Sequence, residues 1–256
     1  MSDDSILELR IRVEASPAVL YRYLSDPDRF RAWMGDADIE ARPGGVVRVR
    51  YPNGHCALGS IIERVPDRRL VFSWGYEGSA ELPPATSTVA IELEPEGGAT
   101  VVVLRHSGLP GGPSRDGHHD GWTHYLSRLA GAVTAERLAE AATRHVDAFM
   151  TAWAETEPSR RLTILEAACE APAVFADRLG SATGCQAISD YIGAAQRFMP
   201  GARLVRCGPV ELVLDRARFA WEAVAADGRA LGRGAHFVEL AGSGRLRRLT
   251  GFWDQA

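Results

Sequence analysis

Ile6-Leu7-Glu8-Leu9-Arg10-Ile11-Arg12-Val13-Glu14-Ala15-Ser16-Pro17-Ala18-Val19-Leu20 changes period in its middle, and that change decides the reading of the first half of the chain. Up to Val13, apolar and charged residues alternate, the period of two of a strand with one buried face. Ser16-Pro17 then supplies an N-cap and a proline at the first helical position, where its missing N–H costs nothing. Val19, Leu20, Tyr23 and Leu24 follow at helical spacing and stop at Ser25-Asp26-Pro27, and a second short helical piece carries Phe30, Trp33 and Met34. After Pro43-Gly44-Gly45 the pattern reads as strands at residues 46–51, 57–65, 69–76, 86–94 and 100–106. Their separators are Pro-Asn-Gly, Pro-Asp-Arg, a Pro-Pro loop and Glu-Gly-Gly, the composition of hairpin turns. A Gly/Pro-rich loop from Ser107 to Gly121 precedes a helix in which Trp122, Leu126, Leu129 and Val133 recur at helical spacing. The order is β-α-α-β5-α.

From Thr134 to Glu157 an Ala-rich pattern places Leu138, Ala142, His145, Phe149 and Trp153 along one side of a helix, either continuous with the preceding helix or broken near Gly131-Ala132. Pro158 begins another helix through about Glu170. A short strand, Ala173 to Ala176, ends at Asp177, and Gly184 to Met199 is a helix closed by Pro200-Gly201. Strands follow at about 202–213, 217–225, 230–240 and 245–253, joined at Asp215-Arg216, Asp227-Gly228 and Ser243-Gly244. Helices feeding a terminal antiparallel sheet make an α+β unit rather than a doubly wound one. The expected organisation is two α+β domains, residues 1–133 and 134–256.

Composition narrows the chemistry. The 256 residues are 46% hydrophobic and 24% charged with a net charge of −4, an ordinary globular profile with no basic nucleic-acid surface in either half. All of the basic residues are arginine, so a lysine Schiff base, a pyridoxal-phosphate anchor and a P-loop lysine are excluded. Cys56, Cys169, Cys185 and Cys207 form no C-x-x-C pair and read as reduced thiols. No apolar run approaches a bilayer span, and Met1-Ser2-Asp3-Asp4 lacks the basic start of a secretory signal, so the expected location is cytoplasmic, with no membrane partner. His118-His119-Asp120 contains H-x-D, two ligands of a facial triad, but a solvated loop before a helix accounts for it, and no metal or cofactor is expected.

Several motifs in order carry a family resemblance. Ile11-Arg12-Val13-Glu14-Ala15-Ser16-Pro17, Pro43-Gly44-Gly45, Arg69-Leu70-Val71-Phe72-Ser73-Trp74, Leu104-Arg105-His106-Ser107-Gly108-Leu109 and His118-x-x-Gly121-Trp122 make residues 6–133 resemble the START-type helix-grip (SRPBCC) superfamily, in its branch related to the activator of a heat-shock-protein ATPase. That resemblance implies a curved antiparallel sheet gripping a C-terminal helix over an apolar cavity. Phe175-Ala176-Asp177-Arg178-Leu179-Gly180, Gly184-x-x-Ala187-Ile188-x-x-Tyr191-Ile192, Arg218-Phe219-Ala220-Trp221-Glu222, Arg233-Gly234-Ala235-His236-Phe237-Val238-Glu239-Leu240 and Thr250-Gly251-Phe252-Trp253 make residues 140–256 resemble the SnoaL-like polyketide cyclase branch of the nuclear-transport-factor-two-like superfamily. It implies a cone-shaped α+β barrel with a pocket between helices and sheet. Cyclases of that branch often carry Asp at the position of His236.

His236, Val238 and Leu240 share one strand face; if it lines the cone, a near-neutral imidazole can move a proton at a carbon beside a carbonyl. Asp177 would orient that imidazole or bind a substrate hydroxyl, and equally reads as a turn residue. Trp153, Tyr191, Phe198, Phe219, Trp221 and Trp253 are the candidate aromatic wall. In the first half Trp33, Tyr51, Trp74, Tyr76, His106 and Trp122 could converge on the helix-grip cavity, although Trp74 and Trp122 also read as plugs seating the helix. Together with the resemblances this gives a two-pocket protein for a small hydrophobic molecule, read as a cofactor-free cyclase or isomerase of an apolar polyketide-like or polycyclic metabolite with His236 and Asp177 catalytic. A carrier or sensor of a hydrophobic ligand and a protein-interaction module are the alternatives, and exposed apolar sheet surface in the second half would favour a homodimer.

Overall fold

The structure, a computed structural model, describes residues 6–254, so the acidic start Met1-Ser2-Asp3-Asp4 lies outside the described residues. The chain divides between Thr134 and Ala135 into two compact α+β units. Among the described residues no helix is long and apolar enough to cross a membrane.

The first unit begins with β1 (Ile6–Val13), α1 (Pro17–Ser25) and α2 (Pro27–Met34). Both helices start as their sequences dictate. Ser16 Oγ accepts from the Val19 amide at 3.4 Å, and the Asp26 carboxylate accepts from the Asp28 and Arg29 amides at 3.1 and 3.0 Å, each followed by proline at the first helical position. Six strands follow: β2 (Ala37–Ile39), β3 (Val46–Arg50), β4 (Cys56–Val65), β5 (Arg69–Trp74), β6 (Ser87–Glu96) and β7 (Ala99–Ser107). The sequence reading lacks β2, whose three residues are too few to show a period. All are antiparallel in the order β1-β7-β6-β5-β4-β3-β2. The outward face of β1, β7 and β6 is an ion-pair ladder, with Arg105 reaching Glu8 at 2.8 Å and Glu92 at 2.6 Å. Such exposed pairs contribute only some tenths of a kcal/mol each. The inward face, with Leu70, Phe72, Ile91 and Leu104 fully buried, is the source of stability, about 2 kcal/mol per large side chain.

Helix α3 (Pro113–Ala154) corrects the reading in two ways. It starts eight residues before the expected end of the loop, because Pro113 follows Gly112, whose φ of +64° ends the loop, and Gly117 and Gly121 are tolerated inside the helix. His118, His119 and Asp120 are therefore helical. It also runs without a break past Gly131-Ala132, with Trp122, Leu126, Leu129 and Val133 buried in the first unit's core and Ala142, Val146 and Phe149 in the second's.

The second unit continues with α4 (Pro158–Ala168), β8 (Cys169–Asp177), β9 (Gly180–Thr183), α5 (Cys185–Phe198), β10 (Arg203–Val213), β11 (Arg216–Val224), β12 (Ala230–Leu240) and β13 (Leu246–Trp253). Its sheet has the order β10-β11-β12-β13-β8-β9, antiparallel except between β13 and β8. β8 is longer than expected because Pro172 sits where its register against β13 shifts, a place where a missing N–H is harmless. β9 is new; its small residues pair back on β8 through the turn at Asp177. β10 is irregular, with a register shift between Cys207 and Glu211 where Gly208 takes φ +83° beside Pro209. The register that matters is in the middle of the sheet: His236 on β12 lies opposite Phe219 on β11 and Gly251 on β13.

Candidate functional site

In the second unit the inward faces of β8, β11, β12 and β13 meet α3 and α5 around a small cavity of about 30 Å³, room for a water molecule or two. Trp153, Phe175, Trp221 and Trp253 form its walls, and His236, Asp177 and Gly251 its polar floor. Residues 236, 238 and 240 point inward by the period of two, while Phe237 and Phe252 stand exposed on the other face. His236 is only 2% exposed and is enclosed by rings: Phe219 stacks on it at 5.2 Å, and Trp221, Phe149 and Phe175 lie at 5.7, 5.8 and 5.9 Å.

Neither ring nitrogen of His236 has a hydrogen-bond partner among the described residues, and the indole N–H groups of Trp153 and Trp221 have none either. Buried polar groups are nearly always paired. Four unpaired polar atoms on three residues that line one cavity are an arrangement that stability alone does not favour. Burial lowers the His236 pKa to about 4, partly opposed by the negative charge of Asp177, so the imidazole is neutral near pH 7 and holds one lone pair and one N–H.

Asp177 has a double duty. Its Oδ1 accepts from the Leu179 and Gly180 amides at 2.8 and 3.2 Å, closing the β8–β9 turn, and from the Tyr191 hydroxyl at 2.7 Å. Tyr191 thus stands behind the carboxylate rather than on the cavity, and burial together with Asp177 pushes its phenol pKa up. A Cβ on residue 251 would lie 3.0 Å from His236 Nε2 and 3.3 Å from Asp177 Cβ. The glycine leaves open the space that the imidazole and the aspartate share.

Gln196 and Arg161 were silent in the sequence. The buried Arg161 donates to Gln196 Oε1 at 3.0 Å and to Ser189 Oγ at 3.1 Å, and Gln196 Nε2 donates to the carbonyls of Trp153 and Glu155 at 3.0 and 2.9 Å. This brace holds Trp153 in place. A helix arginine between polar residues carries no signal of burial; the signal is Gly193, whose missing side chain makes room for the guanidinium.

Three residues of the expected wall are elsewhere, Tyr191 behind the Asp177 carboxylate and two more. Phe198 is 86% exposed, since α5 turns Ala195, Gln196 and Met199 toward the cavity and the 3.6-residue period carries position 198 away. Phe219 is buried behind His236 and supports the imidazole without lining the cavity. Trp153, Trp221 and Trp253 line the cavity, with Arg178 over the Trp253 ring at 4.6 Å.

In the first unit Tyr51, Trp74, Tyr76 and Trp122 line one inner chamber of about 180 Å³. Trp33 does not reach it: it is fully buried, donates to the Tyr23 carbonyl at 2.9 Å and packs edge-on against Phe30. His106 does not line this chamber either. Trp122 Nε1 donates to His106 Nδ1 at 3.0 Å, so the His106 proton sits on Nε2 and is given to Ser87 Oγ at 2.8 Å, which donates to the Trp74 carbonyl at 2.9 Å. This relay fastens helix to sheet, and burial, with the nearby His118, keeps His106 neutral with a pKa of about 3. No cluster of metal-ligating side chains exists among the described residues.

Residues 14–134 match the family of Activator of Hsp90 ATPase homolog 1-like proteins. None of the curated proteins compared with the chain matches it. Among solved structures, the chain is similar to a SnoaL-like family protein from Agrobacterium tumefaciens strain C58, with 28% identity, 45% of this chain and 99% of that chain covered, and a TM-score of 0.43. It is similar to CalU16 from Micromonospora echinospora with 27% identity, 51% and 77% covered, and a TM-score of 0.43. It is also similar to Aha1 from Colwellia psychrerythraea, solved in solution as a dimer, with 19% identity, 50% and 95% covered, and a TM-score of 0.45.

Proposed function

We propose that this chain, whose first half is similar to the Activator of Hsp90 ATPase homolog 1-like family and whose second half is similar to SnoaL-like proteins, is a cofactor-free isomerase or cyclase acting on an apolar carbonyl compound in its second unit. The observation that carries this reading is that His236, Trp153 and Trp221, whose ring nitrogens are all buried and unpaired, line one apolar cavity. A neutral imidazole takes a proton from the carbon beside a substrate carbonyl. The carbonyl oxygen, gaining negative charge as the enolate forms, accepts from the indole donors, an interaction stronger in the transition state than in the ground state. The imidazolium then returns the proton to a different carbon in an isomerisation, or to the alkoxide formed when the enolate carbon attacks a second carbonyl in a ring closure. Asp177, across Gly251, stabilises the imidazolium.

The cavity holds a water molecule or two, so on this reading it widens to admit a substrate, and Met199 and Leu204, which line it between the end of α5 and β10, are where the proposal places that widening. The test is α-proton exchange of 2-tetralone, an apolar fused-ring ketone, in D2O, followed by NMR. The wild type accelerates exchange, and His236→Leu returns it to the buffer rate. Exchange at the buffer rate with the wild type, or unaltered exchange in His236→Leu, would refute the proposal.

A further inference from the structure

The first unit holds a second chamber, of different chemistry, whose reading is independent of the acid–base site. Tyr51, Trp74, Tyr76, Trp122 and Tyr125 line its inner part, and its other lining residues are His118 and two glycines. The rings run as a connected wall, with centroids 6.2 Å apart for Tyr51 and Tyr76, 6.3 Å for Trp74 and Tyr76, 5.3 Å for Trp74 and Trp122, and 6.4 Å for Trp122 and Tyr125. The glycines, Gly117 and Gly121, are one helical turn apart on α3. Each costs the helix about 1 kcal/mol relative to alanine. Neither has a positive φ, and a Cβ at either would meet nothing within 4 Å, so backbone strain and close packing do not require them. Both line the chamber where α3 passes it.

The carboxylates and imidazoles around the chamber are Glu77, Glu81, His55 and His118. The chamber continues into an outer space of about 480 Å³ bordered by Glu77 and Glu81, whose carboxylates have no ion-pair partner among the described residues. In a chain with 29 basic side chains, no arginine lines either part. Among the described residues Arg128 is the one guanidinium over a ring of this wall, 5.9 Å from the centroid of Tyr125. His118 donates from Nδ1 to the Ser114 carbonyl at 2.7 Å, and its Nε2 shares a hydrogen bond with the Tyr76 hydroxyl at 3.3 Å, so both of its nitrogens are engaged by the protein.

From these observations we infer that the first unit binds a small organic cation, with a methylated ammonium group held against Tyr51, Trp74, Tyr76 and Trp122 and drawn in past Glu77 and Glu81. Ring faces carry negative quadrupole density and attract cations, and a methylated ammonium has no N–H whose bonds to water the aromatic wall must replace. A primary ammonium would need acceptors that this wall supplies only as tyrosine hydroxyls.

The test is calorimetric titration of the full chain with choline and with 3,3-dimethylbutan-1-ol, its uncharged isostere. Choline is expected to bind at least about tenfold more tightly than the isostere, more weakly in salt, and about three- to tenfold more weakly to Tyr51→Leu, with Tyr51→Phe restoring affinity. Glu77→Gln with Glu81→Gln should lower choline affinity and flatten its salt dependence while leaving the melting temperature unchanged, which separates loss of binding from loss of fold. Equal affinity for the two probes would make the chamber an apolar pocket and overturn the inference, as would no heat of binding with choline at about 10 mM.

Discussion

Replacing His236 by leucine should stabilise the protein while abolishing activity, and the gain should grow as the pH falls. The wild-type imidazole is buried with both nitrogens unpaired, and leaving a buried polar group unsatisfied costs about 1–3 kcal/mol. Leucine fills much of the same space without that cost, so about 1–3 kcal/mol is expected near pH 7, where the histidine is neutral in both states. Acid adds a second contribution. Burial lowers the folded-state pKa from 6.5 to about 4. Between these values the unfolded chain binds more protons than the folded one, so wild-type stability falls as the pH drops from about 6.5 toward 4. The loss through His236 is about 2 kcal/mol at pH 5 and about 3 kcal/mol below pH 4. His106 titrates in the same direction but is present in both proteins, so the difference between variant and wild type isolates His236. Calorimetric melting at about pH 7.5 and about pH 5 reads the effect, at about 4 °C per kcal/mol for a unit of this size. A variant that melts below wild type at neutral pH, with an unchanged difference in acid, would show that the imidazole is partnered in solution and would remove the main support for a reactive site.

Gly251→Ala places a Cβ 3.0 Å from His236 Nε2, and should cut exchange activity by at least about tenfold with little change in melting temperature, because the collision falls in the reacting space. Trp221→Phe keeps the wall and removes an unpaired N–H; steady-state kinetics should show kcat lower by about a hundredfold, with stability equal to or above wild type. Asp177→Ala should cost about 1–3 kcal/mol in urea unfolding, since two amides and the Tyr191 hydroxyl lose their acceptor, and NMR titration should find the His236 pKa lower still.

Much of the fold was legible because periodicity and punctuation agree. Ser16-Pro17 and Asp26-Pro27 mark helix starts that the structure reproduces as side-chain caps, and the last four strands fall where the alternation puts them. The failures have local causes. Gly117 and Gly121 disguised the first turns of α3, Pro172 hid the start of β8, and β2 and β9 are too short to show a period. For the site, alternation placed His236 on an inward face, but the orphaned state of its nitrogens depends on which groups lie opposite, and cross-strand register is not written in one strand. Phe198 shows the converse limit: a helix residue next to the cavity's neighbours in sequence lies on the other side in space. His106 looked like a site residue because a histidine among tryptophans carries the same letter whether it is fastened or free; its three-member relay became visible only once Ser87 and Trp122 were brought together.

The irregular strand β10 has a consequence for how the protein behaves when concentrated. It forms one edge of the second sheet, where an exposed ladder of amides and carbonyls is a template for another chain. The register shift between Cys207 and Glu211 breaks that ladder in the middle, Gly208 swings the backbone out of line, and Pro209 offers no amide at all. The opposite edge, β9, is only four residues long. The break in β10 and the shortness of β9 leave only short stretches of ladder at both edges, which obstructs the cross-β route to aggregation at this sheet.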